Sequence, residues 1–203
     1  EKILIKEKPD VLLILGDTNS GLSAIPAAHL GIKIIHLEAG MRAYDFRMPE
    51  DKNRTLIDHL SSILLPYTDY SRENLIRENI HPSKIYVIGN PIVEVIEHYL
   101  PKIEKSTILQ KLKLKTKDYF LVTAHRSENV DQIENLKKIL ISLEKIHKKF
   151  KKRVIYPMHP RTLSKIKKLK IPNGIEIIKP AGFLDFTKLE KNAFCLITDS
   201  GTV

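Results

Sequence analysis

The chain has 203 residues, of which 42% are hydrophobic and 29% charged, and a formal net charge of +10. That mixture excludes a disordered or fibrous protein, and no apolar run approaches the ~20 residues of a membrane-spanning helix. A single cysteine, Cys195, excludes an internal disulfide and fits a reducing cytoplasm. Because Cys195 lies in an apolar run, a buried and inert thiol is expected. The first six residues lack the apolar core and cleavage site of a signal peptide. The lysines that dominate the charge fall mainly on predicted helices, for example Lys137, Lys138, Lys145, Lys148 and Lys149. They alternate with Glu or apolar residues, as on a solvated helix face. No aromatic residues interleave with them, so a nucleic-acid platform is not expected. Such a field would still steer an anionic small molecule.

The opening residues read as the tail of a helix running into Lys8-Pro9-Asp10. Strand-length apolar runs then occur at 11–15, 33–37, 62–65, 84–88, 119–122, 153–156, 175–178 and 194–197. Between them, helical spacing appears at 21–30, 51–61, 70–78, 92–100, 133–150, 160–169 and 184–192. Strands alternating with helices predict parallel sheets covered on both faces. The stretch from Pro91 to Asp118 breaks the alternation with one helix, Pro101 and a lysine-rich segment. This predicts two domains, residues 1–92 and 93–203. The last residues, Asp199-Ser200-Gly201-Thr202-Val203, follow a strand directly where a helix should begin. The sequence therefore reads as an internal stretch of a longer chain, with both domains incomplete.

In open α/β sheets, ligands bind at the carboxyl ends of strands. Five such ends carry ionisable or small polar groups: Gly16-Asp17-Thr18, Glu38-Ala39-Gly40-Met41-Arg42, Thr123-Ala124-His125-Arg126, Pro157-Met158-His159-Pro160 and Thr198-Asp199-Ser200-Gly201. Each has a plainer alternative. Asp17 fits a turn or helix cap, and Glu38 fits a structural ion pair with Arg42. Glu50, after Pro49, fits an acid favoured by a helix dipole. His125 fits a satisfied core histidine. Ser200-Gly201 fits either an ordinary cap or a phosphate cradle built from exposed backbone N–H groups. There is no Gly-x-Gly-x-x-Gly after a strand, no Walker loop and no Gly-x-Ser-x-Gly elbow. His125, His159 and Cys195 lack the spacing of a metal site, so no metal is expected.

His36-Leu37-Glu38-Ala39-Gly40-Met41-Arg42, followed by Met48-Pro49-Glu50-Asp51-Lys52-Asn53-Arg54, resembles the non-hydrolysing UDP-N-acetylglucosamine 2-epimerase family. The resemblance continues through Gly16-Asp17-Thr18, Gly89-Asn90-Pro91, the stretch from Thr123 to Asn129, Pro157-Met158-His159-Pro160 and Thr198-Asp199-Ser200-Gly201. It implies a glycosyltransferase-B-like fold of two Rossmann-like domains and a cytoplasmic homodimer without a redox cofactor. The family's reaction interconverts UDP-GlcNAc and UDP-ManNAc, eliminating UDP to leave a 2-acetamidoglucal and then adding it back with C2 inverted. By resemblance Asp17, Glu38 and Glu50 are the catalytic carboxylates, and His125, Phe186, Ser200 and Gly201 bind UDP. Arg126 and His159 match a second, activating UDP-GlcNAc site, with Asp51 where a Glu is usual. Met41 and Tyr44-Asp45-Phe46 resemble a branch of the family whose sugar differs at C6 or C3.

The chemistry suits these residue types. The C2 hydrogen is poorly acidic, so its removal needs a positioned base and an assisted leaving group. Two competing enzymatic expectations remain: a UDP-sugar-dependent glycosyltransferase, and a hydrolysing epimerase that releases free ManNAc. A basic nucleic-acid-binding module is the non-enzymatic alternative.

Overall fold

The computed structural model describes residues 1–45, 48–124, 126–158, 160–166 and 169–200. The chain forms two compact units, Glu1–Glu94 and Val95–Val203.

In the first unit, α1 (Lys2–Glu7) ends at Lys8, whose N–H donates to the Leu4 carbonyl, and β1 (Val11–Leu15) follows. A 3-10 turn at Asn19–Ser23 leads into α2 (Ala24–His29) and then β2 (Lys33–Leu37). Next come α3 (Pro49–Leu60), β3 (Ile63–Leu65) and α4 (Asp69–Arg77). The strands are parallel in the order β1-β2-β3, with Val11 opposite Lys33 and Ile35 opposite Ile63. Pro49 opens α3, where its missing N–H has no partner to lose. Thr68 caps α4 by accepting the Ser71 N–H at 3.1 Å. Ile14, Ala24, Ala27, Ile34 and Ile57 form one core cluster. Its small residues let the helices lie close to the sheet, and a Cβ on Gly21 would lie 2.6 Å from Ile57 Cδ1. The opposite face of β1 is open, with Leu13 62% and Leu15 63% exposed. Among the described residues, the coverage of both faces expected from the alternation is therefore not seen at β1.

The run at 84–88 does not become a strand. The Tyr86 N–H donates to the Leu64 carbonyl at 2.9 Å and the Ile88 N–H to the Pro66 carbonyl at 3.1 Å, but only an isolated bridge forms, Leu64 to Ile85. Pro66 has no N–H to donate back, so a parallel ladder stops there.

Helix α5 (Ile92–Glu104) starts at the end of the first unit, runs into the second and continues through Pro101, beyond the end predicted from the sequence. Tertiary contacts outweigh the proline: Ile103 is fully buried, and Glu104 pairs with Lys188 and Lys191. Two short helices that periodicity does not reveal, α6 (Ile108–Lys111) and α7 (Ser127–Val130), flank β4 (Tyr119–Thr123). The chain continues through α8 (Ile133–Phe150), β5 (Arg153–Pro157), α9 (Pro160–Ile166), β6 (Ile175–Ile178), α10 (Phe183–Asn192) and β7 (Cys195–Thr198). All pairings are parallel, in the order β6-β5-β4-β7. On one face Leu136, Leu140 and Leu143 of α8 pack with Phe120, Val122, Val154 and Tyr156. On the other, Tyr119, Leu121 and Ile155 pack with Leu189 and Ala193. Cys195 is exposed, contrary to the buried thiol expected. It opens β7, which among the described residues stands at the edge of the sheet.

Candidate functional site

In the first unit, β1 and β2 end side by side, and the Gly16 N–H donates to the Leu37 carbonyl at 3.1 Å. This brings Asp17 and Glu38 together. Gly16 has φ +72, a conformation open to glycine, and a Cβ there would meet Glu38 Oε2 at 3.5 Å. Glu38 itself has φ +67, unusual for a residue with a side chain. Its N–H donates to the Leu65 carbonyl at 3.1 Å, which fixes it against the end of β3.

Arg54 of α3 joins the two carboxylates. Its Nη2 pairs with Asp17 Oδ2 and lies 2.8 Å from Glu38 Oε1. Arg54 is 9% exposed, and its buried Nε has no hydrogen-bond partner among the described residues. Burial holds the Glu38 carboxyl above its ordinary range; Arg54 pulls against this, Asp17 adds to it, and His36 opposes it. Asn53 on the same helix donates to the Asp17 carbonyl at 3.0 Å. Glu50 is exposed in the first turn of α3, four residues before Arg54 and on the same helical face.

The ion pair with Arg42 that sequence offered as the plainer role for Glu38 does not form. Arg42 instead binds Glu78 through two nitrogens, at 2.7 and 2.6 Å, and Asp58 at 2.8 Å. Two further residues escaped the sequence reading. Arg54 was visible only as part of a motif, and its meeting with Asp17 and Glu38 depends on how α3 lies. Tyr67 follows β3 by two residues; burial pushes its phenol up, with Glu38 adding to the shift and Arg54 opposing it. The strand end was the available signal, but the run looked purely apolar. Asp51 accepts the N–H groups of Ala43 and Tyr44 at 3.0 and 3.1 Å, and so shapes the loop before α3.

In the second unit the chain steps from β4 to β5 to β6, then returns to the other side of β4 for β7. The carboxyl ends of β4 and β7 therefore flank a topological switch point, the usual ligand position in such sheets. There Asp199 Oδ2 accepts the Arg126 N–H at 3.1 Å and Asn129 Nδ2 at 3.0 Å. The Asp199 N–H donates to the Thr123 carbonyl, tying the two strand ends together at 3.1 Å. The Tyr156 hydroxyl donates to the Ala124 carbonyl at 2.7 Å. The Ser200 N–H donates to Thr198 Oγ1 at 2.9 Å. Phe186 is half-buried and packs against the Tyr119, Leu121 and Leu189 cluster. His125, His159 and Gly201 of the predicted site, and Phe46, lie outside the described residues. Among the described residues no group of His, Cys, Asp and Glu is arranged to hold a metal.

Two Rossmann-like parallel sheets with polar chemistry at their carboxyl ends define a ligand-binding α/β protein of the doubly wound kind. The UDP-N-acetylglucosamine 2-epimerase family model matches residues 1–203, and the chain belongs to that family. The chain is 45% identical over 211 residues to UDP-N-acetylglucosamine 2-epimerase of Methanococcus maripaludis, covering 99% of this chain and 58% of that protein. It thus spans a little over half the length of this relative. It is 35% identical to UDP-2,3-diacetamido-2,3-dideoxy-D-glucuronate 2-epimerase of Pseudomonas aeruginosa, covering 100% of this chain and 57% of that one. Among solved structures, UDP-GlcNAc 2-epimerase of Methanocaldococcus jannaschii in complex with UDP-GlcNAc and UDP matches with a TM-score of 0.90 and 44% identity. That match covers 98% of this chain and 57% of the solved one.

Proposed function

We propose that the whole protein interconverts UDP-GlcNAc and UDP-ManNAc by inversion at C2. One carboxylate takes the C2 proton, the C–H electron pair forms the C1–C2 double bond, and the C1–O bond breaks with its electrons leaving on UDP. A proton then returns to C2 from the opposite face as UDP adds back to C1. Asp17, Glu38 and Glu50 supply the carboxyl groups. His125, Phe186, Ser200 and Gly201 hold UDP, and Asp51, Arg126 and His159 serve a second, regulatory UDP-GlcNAc site. The whole protein acts as a cytoplasmic homodimer; among the described residues no helix is long and apolar enough to cross a membrane.

The observation that carries this is the pairing of Asp17 and Glu38 on one guanidinium, with Glu38 raised by burial. A carboxyl raised in this way gains and loses a proton nearer neutral pH, as C2 chemistry requires. A transferase acting at C1 alone has no need of such a pair. The test is incubation of the whole protein with UDP-GlcNAc in deuterated water without NAD, followed at C2 by NMR. Deuterium at C2 with UDP-ManNAc appearing is the expected result. Turnover without exchange would overturn the elimination, and free ManNAc would indicate the hydrolysing reaction instead.

A second sugar has specific support in the likeness to the Pseudomonas aeruginosa relative and in Met41 and Tyr44-Asp45-Phe46. A UDP-2,3-diacetamido sugar acid run in the same assay tests it, and faster exchange than with UDP-GlcNAc would favour it.

A further inference from the structure

Beneath the carboxylates lies a buried chain of charge that the proposed reaction does not use. His36 is 0% exposed and Asp58 1%. His36 Nδ1 lies 2.7 Å from Asp58 Oδ1, and Nε2 lies 2.9 Å from the Gly16 carbonyl. Asp58 Oδ2 accepts the Gly40 N–H at 3.1 Å and Arg42 Nη1 at 2.8 Å. Gly16 immediately precedes Asp17, and Gly40 follows Glu38 by two residues. One histidine–aspartate pair therefore grips both turns from below.

We infer that His36, bonded on one side to Asp58 and on the other to the Gly16 carbonyl, is the positioning residue that fixes the Asp17 and Glu38 turns relative to one another, an inference that rests on the C2 epimerisation proposed above. A carbonyl only accepts, so Nε2 carries a proton for Gly16. Asp58 in turn accepts from the Gly40 N–H and from Arg42, and Arg42 also binds Glu78, so the pair is anchored beyond the two turns. Of the charged groups around it, Asp58 on α3 bonds the ring, Arg42 reaches it through Asp58, and Glu38 on the turn after β2 is close enough for His36 to oppose the effect of burial on its carboxyl.

His36→Gln and Asp58→Asn in the whole protein test this. Gln at position 36 can still donate to the Gly16 carbonyl but lacks the ring nitrogen that meets Asp58. In His36→Gln, the Glu38 carboxyl followed by 13C NMR is expected to titrate at higher pH than in wild type. The kcat for C2 inversion is expected to fall about 10- to 100-fold, with KM changed far less, as for a displaced catalytic group. An unchanged Glu38 titration and unchanged kcat, with only thermal stability reduced, would leave His36 as core packing and sink the proposal. If wild-type protein exchanges no C2 hydrogen, the epimerase function falls, but the Glu38 titration still decides the role of His36.

Discussion

The Nη2 of Arg54 lies 2.8 Å from Glu38 and also reaches Asp17, so a single guanidinium nitrogen stands between two carboxylates on neighbouring strand ends. Without it the two negative charges would face each other across a partly buried site, and one of them would take up a proton.

Arg54→Met is therefore expected to move the Glu38 titration to higher pH and to slow C2 exchange about 100-fold. Arg54→Lys should recover little, because an ammonium on a flexible stem does not reproduce the planar donor. Carboxyl 13C titration and NMR exchange rates check both; a Glu38 titration that stays at the wild-type pH would contradict the arrangement.

Glu38→Gln should abolish turnover yet stabilise the fold at neutral pH. The sign follows from linkage: the folded state holds the Glu38 proton more tightly than the unfolded state. Wild-type stability therefore declines as pH rises from the unfolded carboxyl range through the raised folded value. Gln removes that decline. The Tm of the variant minus that of wild type should be larger near pH 7 than near pH 4; a gap that is the same at both would refute the prediction.

Gly40→Ala should be severely destabilising, by about 3 kcal/mol. Gly40 has φ +75, and an added Cβ would collide with the Ser71 carbonyl and lie 2.8 Å from Leu75 Cγ. The same shift would pull the Gly40 N–H from Asp58 and its carbonyl from Asn74 Nδ2, now 3.0 Å away. Urea denaturation measures the loss, and a change within ~0.5 kcal/mol, the range of a neutral surface substitution, would rule out the close packing described.

Glu104 should titrate at about 2, because hydrogen bonds from Lys188 and Lys191 favour its charged form. Its contribution to holding α5 against α10 is present above the unfolded carboxyl range and is lost as pH falls through the folded value. The group is exposed, so the effect should shrink with added salt. NMR titration of Glu104 at low and high salt is the check, and a salt-independent value would argue against the exposed ion pairs.

Much of the fold was legible because the strands of a parallel sheet read as unbroken apolar runs. Strands 11–15, 33–37 and 175–178 and helix 133–150 have the bounds predicted. Where the reading failed, a backbone detail or a distant contact decided the outcome. Pro66 withholds the N–H that 84–88 needed, and Ile103 with Glu104 carries α5 past Pro101. Cys195 opens β7, at the edge of the sheet among the described residues, and is exposed. At the candidate site, strand-end placement pointed to Asp17 and Glu38 as residues. Their partner was not legible: the sequence offers Arg42 four positions from Glu38, whereas the fold delivers Arg54 from another element. His36 and Asp58 were hidden for a related reason, since neither spacing nor residue type announces a pair made across 22 positions.

Glu38 adopts a backbone shape that glycine or asparagine would occupy with less strain. At Lys8 and Lys151 the same shape simply closes a helix. At Glu38 it follows a strand, so nothing in chain reversal calls for a long acidic side chain there. Drift toward greater thermal robustness would replace this glutamate, and the position would persist only while the carboxylate itself was under selection. Under such selection, the main-chain trace around residue 38 would carry its mark even with every side chain erased.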